Sequence, residues 1–244
     1  VEDPKGGYFS DFDLLVVVNH DELTDVIDYW AKADDHLIRE MTVNERIKTP
    51  VNFIVHSLAD VNKKLKLGRY FFIDIVREGI ALHAVPNHPF DPPGRLSDVE
   101  ARKEAQQHFN QWFPSAANYL TLAQDAIDRG MGNEAAFLLH QAAERLYHCV
   151  MLVLTLYSPK SHKLNFLRSM CEEHDARLIA AWPRDTKISQ RAFELLRQAY
   201  VNARYSPHYK ITNQELNWLL ERVTVLQDVV RKICEQRLAV GGSH

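Results

Sequence analysis

Cysteine is scarce in this chain. Its 244 residues contain three, Cys149, Cys171 and Cys234, an odd number with no CxxC pair, which excludes a disulfide framework and a thiolate zinc site. The reading is reduced thiols buried in helices. Long apolar runs are missing too. None approaches the roughly 18 residues that a membrane span requires, so no membrane partner is expected. A signal-peptide layout is also absent, and the expected location is cytoplasmic. Neither sign of charge dominates: 29 Lys and Arg face 32 Asp and Glu, for a net charge of −3. Whole-molecule attraction to nucleic acid or an anionic surface is thereby excluded, and any phosphate binding must be local. The hydrophobic share of 46% and charged share of 25% are those of a globular chain, which excludes disordered and fibrous classes. The chain opens on Val1 and closes on Gly241-Gly-Ser-His244, so residues 241–244 read as a tag remnant.

What is present divides into two halves of different period. Up to residue 84, short runs rich in Val, Ile and Phe at 12–18, 51–55 and 70–76 predict buried strands. Between the first two, helical spacing of Leu23, Val26, Ile27, Trp30, Leu37 and Ile38 predicts a helix over 21–41, with Asp21 as its cap. A second helix is predicted over 58–67, stopping at Gly68. Four prolines and a glycine in residues 85–94 can continue neither helix nor central strand. From Ser97 onward the period is helical throughout, over 98–129, 133–156, 163–181, 189–204 and 213–238. Ser97 and Glu100 have capping-box spacing, Asn213 stands as a cap, and Gly130-Met-Gly132 makes a hairpin. The aromatic residues Trp112, Tyr119, Phe137, Tyr147, Tyr157 and Trp218 fall at core positions. The expected fold is α+β overall: a partial α/β domain with a mixed sheet over 1–84, a proline-rich linker over 85–96, and an all-α helical bundle over 97–240.

Chemistry concentrates in two places. Asp11 and Asp13, two apart on a strand, project from one face as adjacent like charges. A divalent cation relieves that repulsion, and turn chemistry at a strand entrance is the alternative. Asp74 interrupts the apolar run at 70–76, where a lone charge is costly. On neighbouring strands the three acids would converge on one metal. The segment Ser10-Asp-Phe-Asp-Leu-Leu-Val-Val17, with Phe72-Ile-Asp74-Ile and Arg77-Glu-Gly-Ile80, resembles the carboxylate strands of the DNA polymerase β-like nucleotidyltransferases of minimal and kanamycin type. That resemblance implies Mg²⁺ or Mn²⁺ held by Asp11, Asp13 and Asp74, with ATP or another NTP as substrate. The Gly-Ser phosphate-binding turn of that family has no counterpart in the ten residues before Asp11.

In the second half, Leu139-His-Gln-Ala-Ala-Glu-Arg-Leu-Tyr-His-Cys-Val150, Ser161-His-Lys-Leu164 and Ala199-Tyr-Val-Asn-Ala-Arg204-Tyr-Ser-Pro-His208-Tyr resemble, in order, the helices of HEPN domains. The resemblance implies a homodimer through this domain. It also implies that Arg204 and His208, here with three residues between them, Pro207 among these, act on nucleotide or RNA as cation and general base. His140 and His148, eight apart on one helical stripe, and His162 are expected to pack or hydrogen-bond rather than chelate. Three functions follow as expectations. The first is metal-dependent nucleotidyl transfer to an acceptor that the sequence leaves open. The second is a HEPN ribonuclease or RNA-binding module regulated by a degenerate nucleotidyltransferase domain. The third is nucleotide sensing without turnover.

Overall fold

The computed structural model describes residues 12–183 and 186–239 and divides into two compact units, Val1–Leu96 and Ser97–His244. Asp11 and residues 240–244 lie outside the described residues.

In the first unit, β1 (Phe12–Val18) and β2 (Val51–Ser57) pair in parallel, with Phe12 opposite Val51 and Val18 opposite Ser57. Parallel neighbours need a crossover, and the chain between them supplies one. It is not the single helix that its periodicity predicts. A 3₁₀ turn at Asp21–Thr24 and a π turn at Val26–Trp30 precede α1 (Ala31–Thr42). The capping residue is Asp25 rather than Asp21: its carboxylate accepts the backbone N–H groups of Ile27 and Asp28 at 2.9 and 3.1 Å. Trp30 then ties the two turns together, donating its indole N–H to the Leu23 carbonyl at 2.7 Å. After β2, Ser57 caps α2 (Leu58–Lys66) through the Asp60 N–H, and Gly68 at φ +68° turns the chain out of the helix. That conformation favours glycine.

The run at 70–76 is not a strand. It forms α3 (Tyr70–Glu78), burying Phe72 and leaving Asp74 on the exposed side, where Arg77 pairs with it at 2.9 Å. The physical reason is the acid itself. A central strand would bury Asp74 alone, whereas a helix turns it to water and places a cation three residues on. Among the described residues the sheet therefore has two parallel strands, and the expected mixed sheet is corrected. The proline-rich segment forms neither helix nor strand. It lies along α2, with the Asp91 N–H on Asn62 Oδ1 and the Gly94 N–H on the Leu65 carbonyl, both at 2.8 Å. A Cβ on Gly94 would fall 1.9 Å from the Lys66 carbonyl oxygen, so this close approach requires glycine.

The second unit is a helical bundle of α4 (Asp98–Asp128), α5 (Gly132–Thr155), α6 (Leu164–His174), α7 (Lys187–Tyr205) and α8 (Asn213–Ala239), with a 3₁₀ turn at Ala176–Ala181. Ser97 and Glu100 form the expected capping box, and Gly130 at φ +72° makes the hairpin between α4 and α5. At α8 the box belongs to Thr212 and Glu215 rather than to Asn213. Helix α5 packs against each of the other four helices. It is accordingly apolar almost all round, burying Ala135, Leu139, Ala143, Leu146, Val150 and Met151, as a central helix must. Of the aromatic residues expected in the core, Tyr147 and Tyr157 are buried and the others half-buried. All three cysteines are free and buried.

Tyr147 and Trp182 are both fully buried, and the indole N–H donates to the Tyr147 hydroxyl at 2.7 Å. Tyr147→Phe removes the acceptor and leaves a buried donor unpaired, a loss of about 1–3 kcal/mol. The expected outcome is a lower urea midpoint of the helical circular-dichroism signal, with the slope of the transition unchanged.

Candidate functional site

The site grows from one stripe of α5. His140, Glu144 and His148 stand at i, i+4 and i+8, hence on one face, and all three are buried. A carboxylate in that position needs donors. It accepts from Gln141 Nε2 at 3.2 Å and from His162 Nδ1 at 2.9 Å, while His140 Nδ1 and His148 Nε2 stand off at 3.6 and 3.9 Å. His162 reaches it because α5 ends abruptly. Leu156 adopts a left-handed conformation, φ +56°, and the Thr155 hydroxyl accepts the Tyr157 N–H while donating to the Met151 carbonyl. For a bulky side chain that conformation costs on the order of 1–2 kcal/mol. The chain reverses there, and residues 157–163 run back beside α5. Ser158 meets His148 Nδ1 at 2.6 Å and His162 comes to lie over Glu144.

Helix α7 supplies the other wall. The Tyr200 ring stacks on His162 with centroids 4.5 Å apart and planes 11° from parallel, and lies 5.4 Å from His140. One turn on, the exposed Arg204 donates through Nε to the Tyr200 carbonyl at 2.6 Å. Its guanidinium sits 4.6, 4.9 and 5.0 Å from the ring centroids of Tyr200, Phe137 and Tyr205. Three rings at this distance hold the cation in place. Among the described residues no carboxylate pairs with it. The following loop exposes His208, and the buried Tyr209 fixes that loop by donating its hydroxyl to the Leu195 carbonyl at 2.9 Å. Burial pushes the Tyr209 phenol upward.

The structure thus brings His140, His148, His162 and Arg204 together, the histidines packed and hydrogen-bonded as expected. Glu144, which organises them, escaped the sequence reading, although its place midway between two histidines of one stripe is visible there. Of the acids, Asp13 is exposed at the head of β1 with Asn52 Nδ2 3.5 Å away, and Asp74 stands on α3. Among the described residues no three His, Cys, Asp or Glu side chains form a group suited to a metal ion. With residues 70–76 in α3, Asp74 does not stand on a strand beside β1.

Burial holds His140 down to about 3 and His148 to about 4, with the nearby His162 adding to both depressions. Burial raises Glu144, against the pull of His162. In the unfolded chain each imidazole takes its proton near 6.5. Stability is therefore lost as the pH falls below that value, because the unfolded chain binds protons that the folded one refuses. The slope is about 1.4 kcal/mol per pH unit for each histidine. Glu144 acts in the opposite sense, lending stability at low pH and withdrawing it as pH rises through its raised pKa, but it is one group against two. The melting temperature at pH 5 is expected below that at pH 7. Equal values would contradict neutral, buried His140 and His148.

The family model of the HEPN domain matches residues 109–233, just over half of the chain. No curated protein matches it. The matched segment begins within α4 and ends within α8, and it contains every residue of the site from Phe137 to His208. It does not reach the first unit. With that match, over a bundle whose α5 and α7 carry the residues that first suggested it, the chain belongs to the HEPN-domain family.

Proposed function

We propose that the helical unit binds RNA and cleaves it, with Arg204 holding the scissile phosphate and His208 transferring a proton. The observation that carries this reading is Arg204, an exposed guanidinium fixed by three rings and a carbonyl and left without a carboxylate among the described residues. A cation so held is preorganised for a phosphate. Aromatic side chains around a cation also suit unpaired nucleotides, whose bases stack while their phosphates are neutralised. Lys160 and Lys163 on the loop of His162, and Lys210 beside His208, are exposed and offer further phosphate contacts. With a net charge of −3 on the whole chain, such local cations must supply the attraction.

This reading is favoured over nucleotidyl transfer by the first unit, which would ask Asp11, Asp13 and Asp74 to share Mg²⁺ and ATP. Asp74 on a helix, paired with Arg77, does not support that assembly. A homodimer through the helical unit accompanies the proposal. Val201 and Tyr205, on either side of Arg204 along α7, are large apolar side chains exposed at 53% and 74%, and a second copy would cover them at the site's edge.

Cleavage by attack of the 2′-OH needs the cation and proton transfer that Arg204 and His208 supply. The full chain in EDTA is expected to cut a single-stranded RNA and spare the DNA of the same sequence. Arg204→Ala should lower the rate by on the order of 10²–10³ and weaken binding. His208→Ala should lower the rate by roughly 10² or more with binding retained. RNA left intact by the wild-type chain across pH 5–8 would refute cleavage. Arg204→Ala binding RNA as wild type does would refute the assignment of the phosphate.

A further inference from the structure

We infer that His162, oriented by the buried carboxylate of Glu144, is a second proton-transfer group of this site and serves as the base that activates the 2′-OH. The inference rests on the RNA-cleaving reading above. It begins from the tautomer. His162 Nδ1 meets a Glu144 oxygen at 2.9 Å, so the ring proton belongs on Nδ1, donated to the carboxylate, and the lone pair on Nε2. That nitrogen has no hydrogen-bond partner among the described residues, and the side chain is 57% exposed. A carboxylate behind an imidazole fixes its orientation and stabilises the imidazolium formed when Nε2 takes a proton.

Two features separate this pair from an incidental contact. Glu144 is 8% exposed at its side chain and is also held by Gln141, so the carboxylate is fixed before His162 reaches it. The imidazole is clamped flat on Tyr200, a ring that Arg204 also contacts: both groups lie within 5 Å of its centroid. A base and a phosphate-binding cation are thus mounted on the same side chain. His140 and His148, held neutral by burial, bring no competing positive charge to Glu144.

The chemistry requires a second group. In transesterification the 2′-OH proton passes to a base as O2′ bonds to phosphorus. The P–O5′ bond breaks, and O5′ takes a proton from an acid, leaving a 2′,3′-cyclic phosphate and a 5′-OH. One imidazole cannot be base and acid in the same step. With His162 Nε2 taking the first proton, His208 gives the second, and Arg204 carries the charge that builds on the phosphorane oxygens.

A leaving group that needs no proton separates the two roles. The full chain, His162→Ala, Glu144→Gln and His208→Ala are compared on an RNA oligonucleotide and on the same RNA with sulfur in place of the scissile O5′. His162→Ala is expected to lose at least 10²-fold in rate on both substrates. His208→Ala should lose as much on the ordinary RNA and recover most of it on the sulfur one. Glu144→Gln should fall roughly tenfold on both. A melting temperature checks folding, and His162→Asn, which keeps a donor toward Glu144 but has no proton-accepting nitrogen, replaces His162→Ala should alanine unfold the chain. Rates unchanged on loss of His162, or recovery of its variants by sulfur, would overturn the assignment while leaving RNA cleavage standing. A wild-type chain that cuts neither RNA would overturn both.

Discussion

A carboxylate buried on the central helix governs the helical half of this molecule. Glu144 sits on α5, which all other helices of the bundle cover, and a charge there is tolerated only with partners. Gln141 and His162 provide them. Most of the surrounding architecture follows. The left-handed Leu156 stops α5 so that residues 157–163 can return along it, Ser158 engages His148 on the way, and Tyr200 closes over the imidazole from α7. The strain at Leu156 is local, but without the reversal it produces, Glu144 would lose its closest donor.

Much of the helical half was legible in the sequence, for physical reasons. Long runs at a 3.6-residue period, a Ser97–Glu100 box and a glycine hairpin agree on the same boundaries. Short apolar runs are different. Residues 70–76 are rich in Phe and Ile and look like a strand, yet a run of that length fits a helix equally. The deciding signal was already there, since Asp74 followed three residues later by Arg77 suits a helix surface and no buried strand. The caps erred by small steps for a similar reason. Asp21 and Asp25 are both good caps, as are Thr212 and Asn213, and only backbone geometry chooses between them.

The site was half legible. Arg204, His208 and three histidines stood out by residue type, and the stripe of His140, Glu144 and His148 could be laid on one helical face from spacing alone. No local rule brings His162 from beyond the end of α5 back onto Glu144, because that depends on a leucine in a conformation leucine rarely adopts. The contact of Tyr200 with both His162 and Arg204 is likewise a tertiary fact. The polar residues stand as separate motifs in the sequence, and the fold makes of them one cluster in which a single aromatic ring contacts both an oriented imidazole and a guanidinium.

The central claim is that this cluster, and not another part of the chain, receives the RNA phosphodiester. It is tested most directly by nuclear magnetic resonance of the imidazole nitrogens in full-length protein, titrated with an oligonucleotide blocked against cleavage by a 2′-deoxy residue at the scissile position. The account predicts that the His162 and His208 resonances shift in saturable fashion with a common dissociation constant. Those of the buried His140 and His148 should stay at neutral-imidazole positions, and Arg204→Ala should abolish the response. Binding that leaves the His162 and His208 resonances unmoved would contradict the account.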